Sequence, residues 1–248
     1  MERHLFDVVN HFAQGGDEAS MRHIIADMLT ERYNNLTPEE VELVVSYLNA
    51  LAKEGDHQAL LTLGSLYYSG FYDLPQDYNI AMSYYERAAE TSELRDSWAL
   101  NNLGYCYYYG KAGAIDYKKA YECYAYAAIQ GNANSMYKLG DMYYNGQHVQ
   151  EDVEAAFFWY TLANEQELDA DPDYRGYLSA SIAFRLGRAY LYGEGTEADP
   201  VHALFELRTA EFLFYRQIIN GDEYSVDQLP LVQELIKAAT EELDSQIK

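Results

Sequence analysis

The side chains able to do acid–base, nucleophilic or metal chemistry are few in this chain, and their spacing keeps them apart. The six histidines, His4, His11, His23, His57, His148 and His202, stand singly, mostly at expected helix ends or in loops. None belongs to an H-E-x-x-H pair, the helical spacing that sets two imidazoles on one zinc ion. His57 follows Asp56 and reads as a surface residue rather than a base. Cys106 and Cys123 offer neither metal-ligand spacing nor a disulfide framework, and read as core fillers. The sequence has no G-x-S-x-G elbow, P-loop or dinucleotide-binding glycine pattern. Asp169, Asp171 and Asp173 raise the question of calcium. However, Asp-Ala-Asp-Pro-Asp lacks the glycine and terminal glutamate of an EF-hand loop, so a solvated loop is expected there. No catalytic residue, metal or cofactor is assigned on these grounds, and the protein is expected not to be an enzyme.

The chain has 248 residues, a net charge of −23 and 49% hydrophobic residues. That apolar content supports a substantial core and excludes wholesale disorder. So acidic a surface repels nucleic-acid phosphates and anionic membrane, and favours a basic protein or peptide as partner. The N-terminus has no apolar stretch of the secretory kind, and the longest apolar-rich run, 155–163, is too short to span a bilayer. A cytoplasmic location is expected. Asn35-Leu36-Thr37 matches a glycosylation sequon, which is accidental without a signal peptide.

One spacing organises the rest. Leu63-Gly64, Tyr67 and Gly70 spell L-G-x-x-Y-x-x-G. Leu103-Gly104, Tyr107 and Gly110 repeat it, as do Leu139-Gly140, Tyr143 and Gly146, and Leu186-Gly187, Tyr190 and Gly193. Self-similarity at such a period is the signature of a solenoid. Each copy ends one helix, A, at the last glycine, which suits the left-handed residue past a helix end. A second helix, B, follows, with Asp77, Asp116, Asp152 and Asp199 placed to cap it and an alanine four residues on. Pro200 after Asp199 supports that start. The mid-helix glycines each cost about 1 kcal/mol against alanine. Close approach of the partner helix is the expected reason, with the motif tyrosines filling the gap the small residues leave. Upstream, helices are expected over about 2–14 and from Asp17, and a third from the Thr37-Pro38-Glu39-Glu40 capping box to Gly55. The second and third read as a degenerate leading repeat. A helix near Asp227 to Ile247 is expected to cap the far end.

The combined pattern, A-x-x-x-L-G-x-x-Y-x-x-G then D-x-x-x-A-x-x-[WY]-Y-x-x-A-A, resembles the Sel-1-like repeat, a tetratricopeptide-type helical repeat. Ser135 and Ile182 depart from its first alanine, and Asn164 and Glu211 from its last. The resemblance implies an all-α, right-handed α-solenoid (superhelix) of antiparallel helix pairs. It implies an N-terminal cap over 1–54, four repeats over 55–219 (about 56–91, 96–131, 132–168 and 178–219) and a capping helix over 220–248. An insert over 164–174 is expected as a loop between the last two repeats. Secreted, cysteine-rich members linked to penicillin binding carry a cysteine pair in each repeat. Here the pair is confined to one, and that function does not transfer.

With the Leu of each L-G pair as zero, positions −5, −2, +2 and +5 of helix A turn about 180° from the core. In a superhelix of this type that side lines the concave groove. The candidate peptide- or protein-binding residues there are Leu61, Tyr68, Trp98, Asn101, Tyr105, Tyr108, Asn134, Tyr137, Asp141, Tyr144, Phe184 and Arg188. Their aromatic character suits an interface, with Asn101 a clamp on a bound backbone. The bland alternative is that the rings stiffen the superhelix. The expected function is a non-catalytic interaction scaffold. Two alternatives stand: a hydrolase or small-ligand-binding protein using dispersed groups such as Asp141 with Arg188, and a self-assembling repeat protein pairing through Phe212 and Phe214.

Overall fold

The structure, a computed structural model, describes residues 37–70, 74–91, 96–170 and 177–247. The helices expected over 2–14 and from Asp17 lie outside the described residues. Those described form ten α-helices and no strand. In chain order these are α1 (Pro38–Lys53), α2 (His57–Ser69), α3 (Tyr78–Thr91), α4 (Ser97–Tyr109) and α5 (Tyr117–Ile129). They continue with α6 (Ala133–Tyr144), α7 (Val153–Ala170), α8 (Tyr177–Tyr192), α9 (Pro200–Ile219) and α10 (Glu223–Ile247). The chain divides into two compact units, Met1–Ile115 and Asp116–Lys248. Within each unit every helix packs on the next along the chain, as in a repeat array. In addition, α10 reaches back to α8.

The helix boundaries follow from the caps read in the sequence. Asp77 accepts from the amides of Asn79 and Ile80, and Asp116 from that of Lys119. Asp152 accepts from Ala155, and Asp199 from Val201 and His202. Gly70, Gly110 and Gly193 adopt positive φ directly where helices A end, and Gly146 does so two residues past the end of α6, after the cap Asn145. α1 runs from Pro38 as the capping box requires, and Gly55 takes the left-handed turn after it.

The mid-helix glycines do mark a close approach, but by a side chain. A Cβ on Gly140 would lie 2.5 Å from Tyr160 Cε1 on helix B, and one on Gly64 within 2.6 Å of Tyr85 Cδ1. At Gly187 the intruder is Leu207. These helix-B residues, not the motif tyrosines, fill the notch. The motif tyrosines are half-buried and face the helix B before them. Tyr107 donates to Glu86, Tyr143 shares a 2.9 Å hydrogen bond with Tyr121, and the Tyr190 ring packs edge-on to Phe157. In the first repeat Tyr67 stacks with Tyr84 of its own helix B. Tyr84 in turn donates to Asn49 of α1 at 2.9 Å.

Two expectations about loops are corrected. Residues 164–170 are the last turns of α7, not a loop, because Asn164 to Leu168 contain neither glycine nor proline to stop the helix. Glu167 there accepts from Ser179 at the start of α8. The closing helix α10 begins at Glu223, four residues before Asp227, because Asp222 caps it through the Ser225 amide. Its Val232, Ile236 and Ala239 complete a core with Ala180, Phe184, Leu207 and Phe214. Phe214 is therefore sealed inside, and only Phe212 of the expected self-association pair is exposed.

Candidate interaction faces

In the first unit the candidate residues concentrate on α4. Asp96 fixes its start, accepting from the amides of Trp98 and Ala99 at 2.9 Å each. Gly110 ends it. Ala99, Leu100, Leu103 and Cys106 are buried, so the opposite side carries Trp98, Asn101, Tyr105 and Tyr108 outward. Trp98 is 58% exposed and Tyr105 37%. Asn101 and Tyr108 are half-buried, and Asn101 donates to Asn102 at 3.4 Å. Tyr68 of α2 packs edge-on to Tyr105 at 6.3 Å and to Tyr78 of α3 at 5.2 Å. Lys111 sits 5.4 Å from the Tyr78 centroid and 6.0 Å from that of Tyr68. Tyr109 extends the cluster, its ring 4.4 Å from Tyr105. Burial pushes the Tyr68 hydroxyl well above the usual tyrosine range, with Tyr105 adding to it. The result is a clustered tyrosine platform with one indole projecting beside it. Leu61, expected on the same face, is buried.

In the second unit the candidate residues turn mostly inward. Tyr137, Asp141 and Phe184 are buried, and Phe184 belongs to the core beside α9 and α10. Asp141 accepts from Tyr160 Oη at 2.9 Å and from Arg185 Nε at 3.2 Å, with Lys138 Nζ 3.9 Å away. The guanidinium of Arg185 also lies over Tyr137, 5.4 Å from its centroid. Burial opposes the Arg185 charge, but Asp141 together with the hydroxyls of Tyr137, Tyr160 and Tyr224 outweighs it and holds the group above its ordinary value. The Tyr137 and Tyr160 hydroxyls are pushed far up, first by burial and then by Asp141.

The expected pairing of Asp141 with Arg188 does not form. Arg188 donates to Glu194 at 2.9 Å and stacks over Tyr144, 3.9 Å from its centroid, while Tyr144 donates to Glu194 at 3.1 Å. Asn134 is half-buried near the start of α6. The partners missed by sequence reasoning are Arg185, one position before the L-G pair, and Glu194, which follows the terminal glycine. No repeat position is reserved for either, so no spacing signal pointed to them. Tyr109, Tyr78 and Lys111 were missed for the same reason.

The remaining chemical groups stay dispersed. Burial pushes the Cys106 thiol up to about 11, so it is held as an unreactive thiol. His202 is bound to Asp199 at the mouth of α9 and packs beside Tyr190, and His57 is exposed. Among the described residues no group of three His, Cys, Asp or Glu side chains is arranged to hold a metal. Among them, too, no helix is long and apolar enough to cross a membrane.

Antiparallel helix pairs, glycine notches filled from the partner helix and an aromatic outward face define a helical-repeat protein of the interaction type. The Sel1 repeat model matches residues 57–90, 99–132, 133–168 and 181–205, more than half of the sequence, and the chain belongs to that family. Sel1 repeats as a class mediate protein–protein interaction without catalysis. Two Arabidopsis thaliana proteins described as ERAD-associated E3 ubiquitin-protein ligase components are similar. HRD3A is 30% identical over 133 residues (54% of this chain, 18% of its own) and HRD3B 34% over 79 residues (32% and 13%). The chain thus spans less than a fifth of the length of these curated relatives.

Solved structures agree on an all-α solenoid. A protective antigen of uropathogenic Escherichia coli displaying an SLR fold matches with a TM-score of 0.66 at 24% identity, over 95% of this chain and 49% of its own. A Sel1 repeat protein from Oxalobacter formigenes matches with a TM-score of 0.59 at 22% identity, over 80% and 76%.

Proposed function

We propose that this chain is a non-catalytic scaffold that holds a peptide or protein segment on the outward face of α4. The observation that carries this reading is Trp98. A helix face that met only water would be polar, yet α4 projects an indole 58% exposed, beside exposed Tyr105 and Tyr109. Tryptophan and tyrosine dominate interface energetics because they bury much area at little conformational cost. The tyrosine platform stiffens the face, so less ordering is required on binding. In the second unit Tyr137, Asp141 and Phe184 are buried and Tyr144 and Arg188 are engaged with Glu194, which supports assigning binding to the first.

Two further points support the reading. HRD3A and HRD3B are named as components of a ligase assembly, which agrees with a role in holding another protein. The net charge of −23 favours a basic segment, whose affinity would fall with added salt. The expected cytoplasmic location and reducing environment suit the two free cysteines.

The test is capture of partners from the native lysate by the full chain, followed by titration of the captured protein. Trp98→Ala and Tyr105→Ala are each expected to weaken binding by at least about 1 kcal/mol, roughly fivefold or more, with folding unchanged. Unchanged affinity in both variants would remove α4 as the binding face.

A further inference from the structure

The outer side of α9 carries a pattern that neither the repeat nor the α4 face uses. Inward, α9 buries Ala203, Leu207, Ala210, Leu213 and Phe214. Outward, Val201, Phe205, Phe212, Tyr215 and Ile219 are each 46–82% exposed. Together with exposed Arg208 these positions are spaced 4, 3, 4, 3 and 4 residues apart. That alternation is the a/d seam of a coiled coil. Half-buried Leu204 and Ile218 flank it. A helix B does not need such a surface, since α3 exposes Asn79, Ser83, Glu86, Arg87 and Glu90 with Ile80 as its one exposed large apolar side chain.

The seam also matches itself. Turned end for end about Ala210, Val201 falls opposite Ile219, Phe205 opposite Tyr215 and Arg208 opposite Phe212. Layers of this kind, one a position against one d position, are what antiparallel helices form. Self-complementarity after a half-turn is the requirement of a two-fold interface, and an unrelated partner helix would not impose it. The central layer would set the Arg208 guanidinium on a phenyl ring, a favourable cation–π arrangement. Glu211, which Arg208 already bonds at 2.9 Å, stays beside it to balance the charge. From this geometry we infer that the chain forms a two-fold homodimer, α9 lying antiparallel to α9 of a second copy. The two 20-residue helices would meet along about 30 Å. The inference uses no residue of the α4 face, so either reading can fail without the other.

Sedimentation equilibrium of the full chain is expected to show a reversible monomer–dimer equilibrium. The double variant Phe205→Glu, Phe212→Glu should raise the dissociation constant about a hundredfold or more, with the helical circular dichroism unchanged. Cross-linking fixes the direction of pairing. In a Cys123→Ser background, Val201→Cys mixed with Ile219→Cys should form a disulfide-linked dimer readily, and Val201→Cys alone should not. A wild-type monomer at every concentration would overturn the inference. So would a dimer that survives the double variant, or self-linking of Val201→Cys alone.

Discussion

Gly140 shows how a single missing methyl organises a helix pair. By intrinsic propensity alanine is better there by about 1 kcal/mol, so on an isolated helix Gly140→Ala would stabilise. Here its Cβ would stand 2.5 Å from the Tyr160 ring, which is buried and anchored by its hydrogen bond to Asp141. Overpacking of that kind costs about 1–3 kcal/mol, so a net loss of stability is expected in denaturant unfolding. The second residue-scale prediction concerns Asp141. Asp141→Asn keeps the shape and an acceptor for Tyr160, but leaves the mostly buried Arg185 charge without its counterion. A loss of about 3 kcal/mol is expected. The pair Asp141→Asn, Arg185→Leu should recover most of that, because it removes the unpaired charge and keeps the acceptor for Tyr160. If the double variant is no better than Asp141→Asn, the ion pair is not what the substitution broke. The glycine notch was legible in the sequence, since four costly glycines at one register demand a cause. What fills it was not, because the tyrosine of helix B looked like any other among 26. The Asp141–Arg185 pair was illegible too, for it joins α6 to α8 across 44 residues by contacts that no repeat spacing records.

At the scale of the element, caps and faces were the most readable features. Aspartate four residues before an alanine, and glycine past a helix end, act through neighbouring backbone groups alone, so local sequence determines them. Helix faces were half-readable. Periodicity correctly turned Trp98, Tyr105 and Tyr108 away from the α4 core, yet the same arithmetic sent Tyr137 and Phe184 outward when they are buried. A helix wheel knows one helix; α10 and the side chains of α8 that cover those two come from elsewhere in the chain. α4 also offers a prediction that joins cap to function. Asp96 satisfies two amides of its first turn, the turn that holds Trp98. Asp96→Ala should lower stability by about 1 kcal/mol. It should also weaken partner binding without Asp96 itself touching the partner, because Trp98 then starts from a frayed turn. Asp96→Asn, which keeps an acceptor, should restore both in the same unfolding and binding assays.

For the whole molecule, the unusual feature is how many tyrosine hydroxyls the fold keeps from water. Burial pushes Tyr85 up to about 12, and raises Tyr137 and Tyr160 further. An unfolded tyrosine releases its proton near pH 10. Above that pH the unfolded chain therefore binds fewer protons than the folded one, and stability falls as pH rises. Below pH 10 the contribution is fully present. Each such tyrosine removes about 1.4 kcal/mol per pH unit, so Tyr137 and Tyr160 alone take about 2.7 from the second unit. Against a typical total of about 5–15 kcal/mol, cooperative unfolding is expected within a few units above pH 10. The part of the tyrosinate absorbance that belongs to the buried hydroxyls should rise together with the loss of helical circular dichroism, because those hydroxyls ionise only as the chain opens. Tyr137→Phe removes one of these protons and keeps the ring, and should shift the alkaline midpoint upward. A midpoint that stays put, or absorbance that rises fully while the helices remain, would show that these hydroxyls ionise in place and that the tyrosine core is far wetter than its packing implies.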